Sequence, residues 1–493
     1  MRSLYNLSLY LYLLLIRIAS LFSEKARQWL SGRKGILQKM QEAAGQVESH
    51  GGTSQDDGCH NGGQKGHHGS DSQGDGHHSQ GQHNRSSNSQ GQHHRTSNHK
   101  DGPEPSPAGS RTIWFHCASL GEFEQGRPVI ERFRERHPGW RILLTFFSPS
   151  GYEIRKNYAG ADHIFYLPID TPSNVESFLN TWRPEMAVFV KYEFWFNYLA
   201  GLARRGIPTF IVSAIFRENQ HFFRPYGGWF RRQLNHVTRF FVQDEASRKL
   251  LVSHGIEQVE VSGDTRFDRV YQLSREPGSF TDIARFAEGE YVMVAGSTWP
   301  TDEALVGSLI RGSELHDSQL NMKFIIAPHE VHSERIDRLM GSLGAGALKY
   351  SEYTESASAD AKVLADAKVL VIDRIGMLSR LYQYGQLAFI GGGFGQGIHN
   401  ILEAAAFGLP VLFGPNYHKF AEARDLVAKK GAFCVHDEAQ LREKVAELTA
   451  DVDKPGKLSR LQETGEICRD YVESKHGATD VIISCMEKLV QPK

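Results

Sequence analysis

Several carboxylates and cations in this sequence stand where chemistry could use them. In "FHCASLGEFEQG" (115–126) an apolar run from Thr112 to Cys117 breaks at Ala-Ser-Leu-Gly and delivers Glu122 to the start of an amphipathic stretch. Phe123, Val129, Ile130 and Phe133 on one side, with Arg127, Glu131, Arg132 and Glu135 elsewhere, give that stretch a helical period. An acid there can complement a helix dipole, or serve as a general base. "VKYEFWF" (190–196) sets Glu193 among Phe194, Trp195 and Phe196, where an acid either starts a helix or is functionally placed. "GDTRFD" (263–268) supplies Arg266, a fixed cation for an anion or a salt-bridge partner for Asp264 or Asp268.

Further along, "APHEVHSER" (327–335) offers His329 and His332 with Glu330 between them. No convincing third ligand accompanies them, so nucleotide contact or capping is preferred to a metal site. "FIGGGFGQGIHNILEAAAFGLPVLFGP" (389–415) runs a strand into glycines 391, 392, 393, 395 and 397, then into a helix expected to start near Asn400. Bare glycines let a ligand approach the backbone, and a helix N-terminus offers N–H groups to a phosphate. As a dinucleotide fingerprint the run is poor, because no clear ribose-binding acid ends a following strand. Glu403 could accept from a ribose diol instead, or be a solvated helix acid.

These motifs need a scaffold, and the texture from residue 111 supplies one. Short apolar runs (112–117, 141–147, 163–167, 186–190, 209–213, 239–243, 259–263) alternate with amphipathic stretches, as buried parallel strands alternate with crossover helices. After a weak break at 274–282 the pattern restarts at 291–297, 323–328, 369–373, 387–392 and 410–414. The expectation is α/β, two tandem doubly wound domains facing a cleft, 111–282 and 283–493. Ligands of such sheets sit outside the carboxyl ends of the strands, and every motif above, with "IDRIGM" (372–377), falls just past a predicted strand.

The N-terminal segment is different. Leu4 to Ile16 and Ile18 to Phe22 are apolar, with Lys25, Arg27, Arg33 and Lys34 after them. This reads as an uncleaved membrane anchor with a basic flank (1–47), either spanning or lying in the interface, with the following chain in the cytoplasm. The aromatics Phe222, Phe223, Tyr226, Trp229 and Phe230, beside Arg224, Arg231 and Arg232, are expected to help as exposed lipid contacts, unless they pack on the domain. Residues 48–110 hold no Leu, Ile, Val, Met or aromatic residue and carry a tandem repeat, "SQGQHNRSSN" then "SQGQHHRTSN". They are expected to be a disordered His-, Gly-, Ser- and Gln-rich insertion. The tract's ten histidines from His50 to His99 give it incidental metal affinity. A formal net charge of -1 over 493 residues gives no reason to propose a nucleic-acid partner. Five scattered cysteines with no CxxC pairing suit a reducing compartment.

In combination the motifs resemble the Kdo (3-deoxy-D-manno-octulosonic acid) transferases. "FHCASLGE" is similar to that family's His-x-x-Ser-x-Gly-Glu, "YEFW" to Thr-Glu-Leu-Trp and "GDTRFD" to Gly-Asn-Leu-Lys-Phe-Asp. "HNILEAAAFGLPVLFGP" is similar to its nucleotide segment. The resemblance implies a GT-B fold at the cell inner membrane. It also implies inverting transfer of Kdo from CMP-Kdo to a lipid A precursor in lipopolysaccharide biosynthesis, without cofactor or catalytic metal. It makes Glu122 the general base and Glu193 and Arg266 transition-state stabilisers. CMP contacts fall on Pro328, His329, Ile375, Gly376, Met377, Asn400, Ile401, Leu402 and Glu403. Three positions depart from the pattern: Arg266 for Lys, His329 for Arg, and Phe196 for Pro after Trp195. Two other readings stay open: another GT-B nucleotide-sugar enzyme, or a His-rich metal-binding protein on a degenerate scaffold.

Overall fold

The computed structural model describes residues 1–50, 111–313, 322–344, 346–356, 367–452 and 458–490. The tandem repeat and nearly all of the His-rich tract lie outside these residues. Two seven-stranded, wholly parallel sheets are built in chain order. The first contains β1 (Thr112–Cys117), β2 (Arg141–Phe146), β3 (His163–Tyr166), β4 (Met186–Val190), β5 (Thr209–Ala214), β6 (Arg239–Val242) and β7 (Val259–Val261). Its spatial order is 3-2-1-4-5-6-7. The second contains β8 (Tyr291–Thr298), β9 (Met322–Pro328), β10 (Ala347–Lys349), β11 (Val369–Val371), β12 (Leu387–Ile390), β13 (Val411–Phe413) and β14 (Ala432–Cys434). Its order is 10-11-9-8-12-13-14. In each sheet the chain starts near the centre, winds to one edge and returns to wind to the other. The reversal beside β1 and beside β8 opens the crevice where such sheets hold ligands.

Burial explains the apolar runs. Every residue of β1, β4 and β5 is buried, because crossover helices cover both faces of a parallel sheet. Twelve of the fourteen strands coincide with those runs. The two missing from the sequence reading, β10 and β14, have three residues each and are partly exposed at sheet edges. An edge strand needs no continuous apolar run.

The N-terminal segment folds into α1 (Arg2–Ala19), α2 (Glu24–Gly32) and α3 (Ile36–His50). These are not a free flank. Trp29 is buried, and Ile36 and Met40 belong to the core of the first unit. Among the described residues no helix is long and apolar enough to cross a membrane. The spanning alternative therefore has no element to carry it. α1 instead lies along the first unit, where the Tyr5 hydroxyl donates to Asp170 at 2.6 Å and Leu9 is buried. The expected exposed aromatic cluster is also largely internal. Phe222 is buried, Phe223, Trp229 and Phe230 pack on the core, and only Tyr226 stands in solvent. A last helix, Ala478–Val490, sends Ile482, Ile483 and Met486 into the core of the first unit. The second unit as read from sequence thus surrenders its final helix to the first.

Candidate active site

Glu122 occupies the first turn of α4 (Leu120–Arg136), which leaves β1 through Ala118-Ser119. Ser119 has the extended backbone of an N-cap, but its hydroxyl does not cap the helix; it donates to the Glu122 carboxylate. The acid is thus held by a side chain at the strand's carboxyl end while it also sits at the positive pole of the helix. The ammonium of Lys191, just past β4, lies within the fields of Glu122, Arg266, Asp264 and Glu422. Burial, then Arg266, pushes the Lys191 amine below its usual value. The Lys191 backbone is left-handed, φ 69°, where a side chain costs about 1–3 kcal/mol. Such strain gathers where a side chain must be aimed.

Glu193 is held two residues on. Its Oε2 lies 2.7 Å from the Trp195 indole nitrogen and 3.2 Å from Nε2 of buried His116. The same indole nitrogen is 3.1 Å from His116 Nε2, and His116 Nδ1 is 3.1 Å from the Thr145 carbonyl oxygen. With its proton on Nδ1, the ring donates to that carbonyl and accepts the indole N–H at Nε2. With its proton on Nε2, the ring donates to Glu193 and Nδ1 accepts from the Thr145 hydroxyl at 2.9 Å. Either way the carboxylate has a fixed orientation, held by the Trp195 indole.

Arg266 lies in the first turn of helix Thr265–Arg275, two residues after its N-cap Asp264. Its Nε donates to Asp264 at 2.8 Å. One terminal nitrogen donates to Glu422 of the second unit at 3.0 Å. Asp268, the other partner considered, turns away and accepts from the backbone of Gly477 and Thr479. Arg266 is a clasp across the cleft.

On the facing rim, the glycine run is structural to a degree the sequence did not reveal. A Cβ on Gly391 would meet the Ser297 carbonyl oxygen at 2.3 Å, and one on Gly393 the Gly414 nitrogen at 2.5 Å. These glycines let backbone approach backbone, so the loops past β8, β12 and β13 interlock. Buried Asp302 fastens them, accepting from Gly392 N and Trp299 N at 2.9 Å each. Beside this loop Trp299, His329 and His399 form a column: His329 stacks on Trp299 at 4.7 Å and on His399 at 4.5 Å between centroids. Trp299 Nε1 donates to His399 Nε2 at 3.0 Å, and burial, then His329, lowers the His399 pKa.

The helix after the glycines begins at Leu402 rather than near Asn400 and is five residues long. The Asn400 side-chain oxygen Oδ1 accepts from Leu402 N at 3.2 Å, while its side-chain Nδ2 donates to Glu403 at 3.1 Å. Ile401 and Leu402 are fully buried, so they shape the wall and present no side chain to a ligand. Burial pushes the Glu403 carboxyl up to about 7, against the Asn400 bond and with a smaller push from Glu124 of α4. Pro328 ends β9 and is buried; Ile375 is 88 % exposed, Gly376 is left-handed at φ 89°, and Met377 is buried.

Glu122, Lys191 and Arg266 therefore meet electrostatically at one mouth, with Glu193 adjoining on the Lys191 loop. Glu403 faces α4 from the other unit. Lys191, His116, Ser119, Glu422, Asp302, Trp299 and His399 are additions to the sequence reading. His116, Ser119, Lys191 and Trp299 had a signal in "HCASLGE", "VKYEFW" and "AGSTW", which follow predicted strands, and His399 in the glycine run; Asp302 and Glu422 had none. Among the described residues no group of three or more His, Cys, Asp and Glu could hold a metal ion.

The family model described as 3-deoxy-D-manno-octulosonic-acid transferase (kdotransferase) matches residues 88–269. A 3-deoxy-D-manno-octulosonic acid transferase of Chlamydophila psittaci is 26% identical over 346 residues, 68% of this chain and 76% of that one. That of Aquifex aeolicus is 27% identical over 347 residues, 68% of this chain and 85% of that one. Among solved structures, UDP-GlcNAc 2-epimerase from Neisseria meningitidis superposes with TM-score 0.52 at 15% identity, covering 76% of this chain and 100% of that one. A glycosyltransferase from Rickettsia africae gives 0.51 at 9% identity, covering 78% and 100%. The fold is GT-B.

Proposed function

We infer, from the chain's similarity to the 3-deoxy-D-manno-octulosonic acid transferases, that it moves Kdo from CMP-Kdo to a lipid A precursor of the lipid IVA type. The observation that carries the reading is the mouth of the cleft. There Glu122, held by Ser119, shares its field with Lys191 and with an Arg266 clasped to Glu422 of the opposite unit. A sugar hydroxyl is a weak nucleophile, and Glu122 takes its proton as the new anomeric bond forms. CMP departs as a phosphate monoester, and cations near the breaking bond stabilise the charge it gains. Arg266 supplies one; Lys191 supplies a second when protonated. Glu193, oriented by Trp195 and His116, offsets positive charge developing on the sugar ring, as acids do beside oxocarbenium-like centres. Base on one unit and leaving group on the other suit a single displacement, hence inversion.

The donor's nucleotide is assigned to the facing rim. Glu403 accepts from the ribose diol, Asn400 fixes Glu403, and the backbone at Pro328 to His329 and Ile375 to Met377 borders the base and phosphate. His329 stands where the family pattern carries a permanent cation, so an imidazole borders the donor in place of a guanidinium. The inner-membrane location rests on α1. Its outward row of Leu4, Leu7, Leu11, Leu14, Leu15 and Ile18 is 50–63 % exposed, suited to lying in the interface with both units on the cytoplasmic side.

Another GT-B nucleotide-sugar enzyme is the competing reading, favoured by the fold alone. A donor panel separates the two. Nucleotide release from CMP-Kdo made in situ should require the lipid acceptor, and UDP-GlcNAc should be neither consumed nor epimerised. Turnover of UDP-GlcNAc without acceptor would overturn the assignment.

A further inference from the structure

On its inner side α1 does not close completely on the first unit. A groove of about 510 Å³ runs between the helix and the loop that carries Glu193. Tyr5 and Leu9 form one wall, Phe194, Trp195 and Phe196 the other, and Phe230 and His221 stand at one end. Glu193 is the one acid on the lining. The volume is that of a ligand pocket rather than a packing defect. Its walls are fixed rather than accidental. Phe196, the residue that departs from the family pattern, packs edge-on against Tyr5 at 5.1 Å and Trp229 at 5.3 Å. Asp170 accepts from Tyr5 and from the backbone of Asn197 and Tyr198, so the α1 wall is bonded to the helix that follows the Glu193 loop.

A second pocket, about 530 Å³, opens past Trp229, lined by Arg2, Arg204, Gln233 and His236. Both guanidinium charges act on His236 from close by. An apolar groove that ends at a candidate catalytic carboxylate, beside a basic pocket, matches an amphiphile with a hydrocarbon tail and an acidic head. A soluble sugar acceptor would use neither.

We propose that the groove between α1 and residues 192–196 holds one fatty acyl chain of the acceptor, with an acidic headgroup drawn to Arg2 and Arg204. This deepens the acceptor reading given above and rests on it. The helix whose outer face suits a lipid surface then also forms, by its inner face, a wall of the passage from that surface to Glu193. Acceptor selection becomes a matter of chain length as well as of sugar.

The test uses the full chain in two arms. In the first, tetradecyl phosphate below its aggregation threshold and butyl phosphate are titrated calorimetrically. The longer chain should bind about a hundredfold or more tighter, since each buried methylene is worth ~0.8 kcal/mol. Leu9→Asn and His221→Glu should each weaken the longer chain about tenfold, and Arg204→Gln should weaken tetradecyl phosphate but not tetradecanol. His221 is exposed at the groove end, so its variant keeps the test alive should Leu9→Asn misfold. In the second arm, kcat/KM is compared for a tetraacylated and a fully deacylated diglucosamine bisphosphate. Leu9→Asn and His221→Glu should lower it for the acylated acceptor alone. Equal kcat/KM for both acceptors in the wild-type protein overturns the groove and leaves the assigned activity intact. Should neither acceptor be used, the assigned activity fails, and the titration alone decides the groove: binding independent of chain length overturns it.

Discussion

Replacing Glu122 by Gln separates catalysis from helix capping more cleanly than any other single change. The amide is nearly isosteric, and its oxygen can still accept from the Ser119 hydroxyl that holds the native carboxylate. What the helix loses is one favourable dipole contact in its first turn, worth ~0.3–1 kcal/mol. In a unit of this size that shifts Tm by no more than about 2–4 °C. Removing a positioned general base instead costs ~10²–10⁴ in turnover, or ~3–5 kcal/mol at the transition state. The two accounts therefore differ by several kcal/mol in an observable that folding does not touch. CMP affinity, measured by titration, should stay within about twofold, because the assigned nucleotide contacts lie on the other unit. The loss should fall on kcat for Kdo transfer, since the proton is taken only in the transition state. A Glu122→Gln protein that turns over within a few-fold of wild type would refute the reasoning. Glu122 would then be a helix-terminal acid, and the base would have to be sought at Glu193 or elsewhere on the same rim.

The Glu403 carboxyl, pushed up to about 7 by burial, must be ionised to accept from a ribose diol. CMP affinity should therefore rise from about pH 6 to about pH 8, and Glu403→Gln should weaken binding and flatten that dependence. Its folded pKa lies above its unfolded value, so its contribution to stability is complete below the unfolded pKa and lost as pH rises through about 7. Glu403→Gln should accordingly gain most in melting temperature on the alkaline side. Gly391→Ala drives a Cβ to 2.3 Å from the Ser297 carbonyl, a clash with backbone that should cost about 1–3 kcal/mol in a denaturant titration and loosen CMP. Arg266→Met leaves Asp264 and Glu422, both nearly buried, without their cation, and should destabilise by about 3–5 kcal/mol. Arg266→Lys should recover part of both stability and turnover, because it restores the charge without the fork.

The scaffold was legible because a parallel sheet buried on both faces writes continuous apolar runs, as Ile113 to Cys117 and Met186 to Val190 do. The motifs were legible because strand ends are where such a fold gathers its loops. Three features were hidden. The glycines at 391 and 393 looked like room for a ligand, yet they are room for the neighbouring loops' backbone, which composition cannot distinguish. The Arg266 to Glu422 pair spans 156 residues of sequence, and nothing local marks Glu422 as its partner. The N-terminal helix could read as spanning as well as interfacial because Leu4 to Ile16 is apolar but for Asn6 and Ser8. The polar groups that bond it to the domain, Arg2 to Asn197 and Tyr5 to Asp170, are ordinary residues until the fold brings their partners near. Phe222 and Phe230 left both readings open, since an aromatic beside an arginine looks alike whether it faces lipid or the core.

The central claim is that this cleft joins a Kdo residue to a lipid. Mass spectrometry of a tetraacylated lipid A precursor, incubated with the full chain and CMP-Kdo generated in situ, examines it without intermediaries. The account predicts that the lipid gains mass in whole Kdo residues, that the gain is abolished when CMP-Kdo synthesis is omitted, and that Glu122→Gln slows it by ~10²–10⁴. An unchanged lipid mass in the presence of intact, folded protein and verified CMP-Kdo would contradict it.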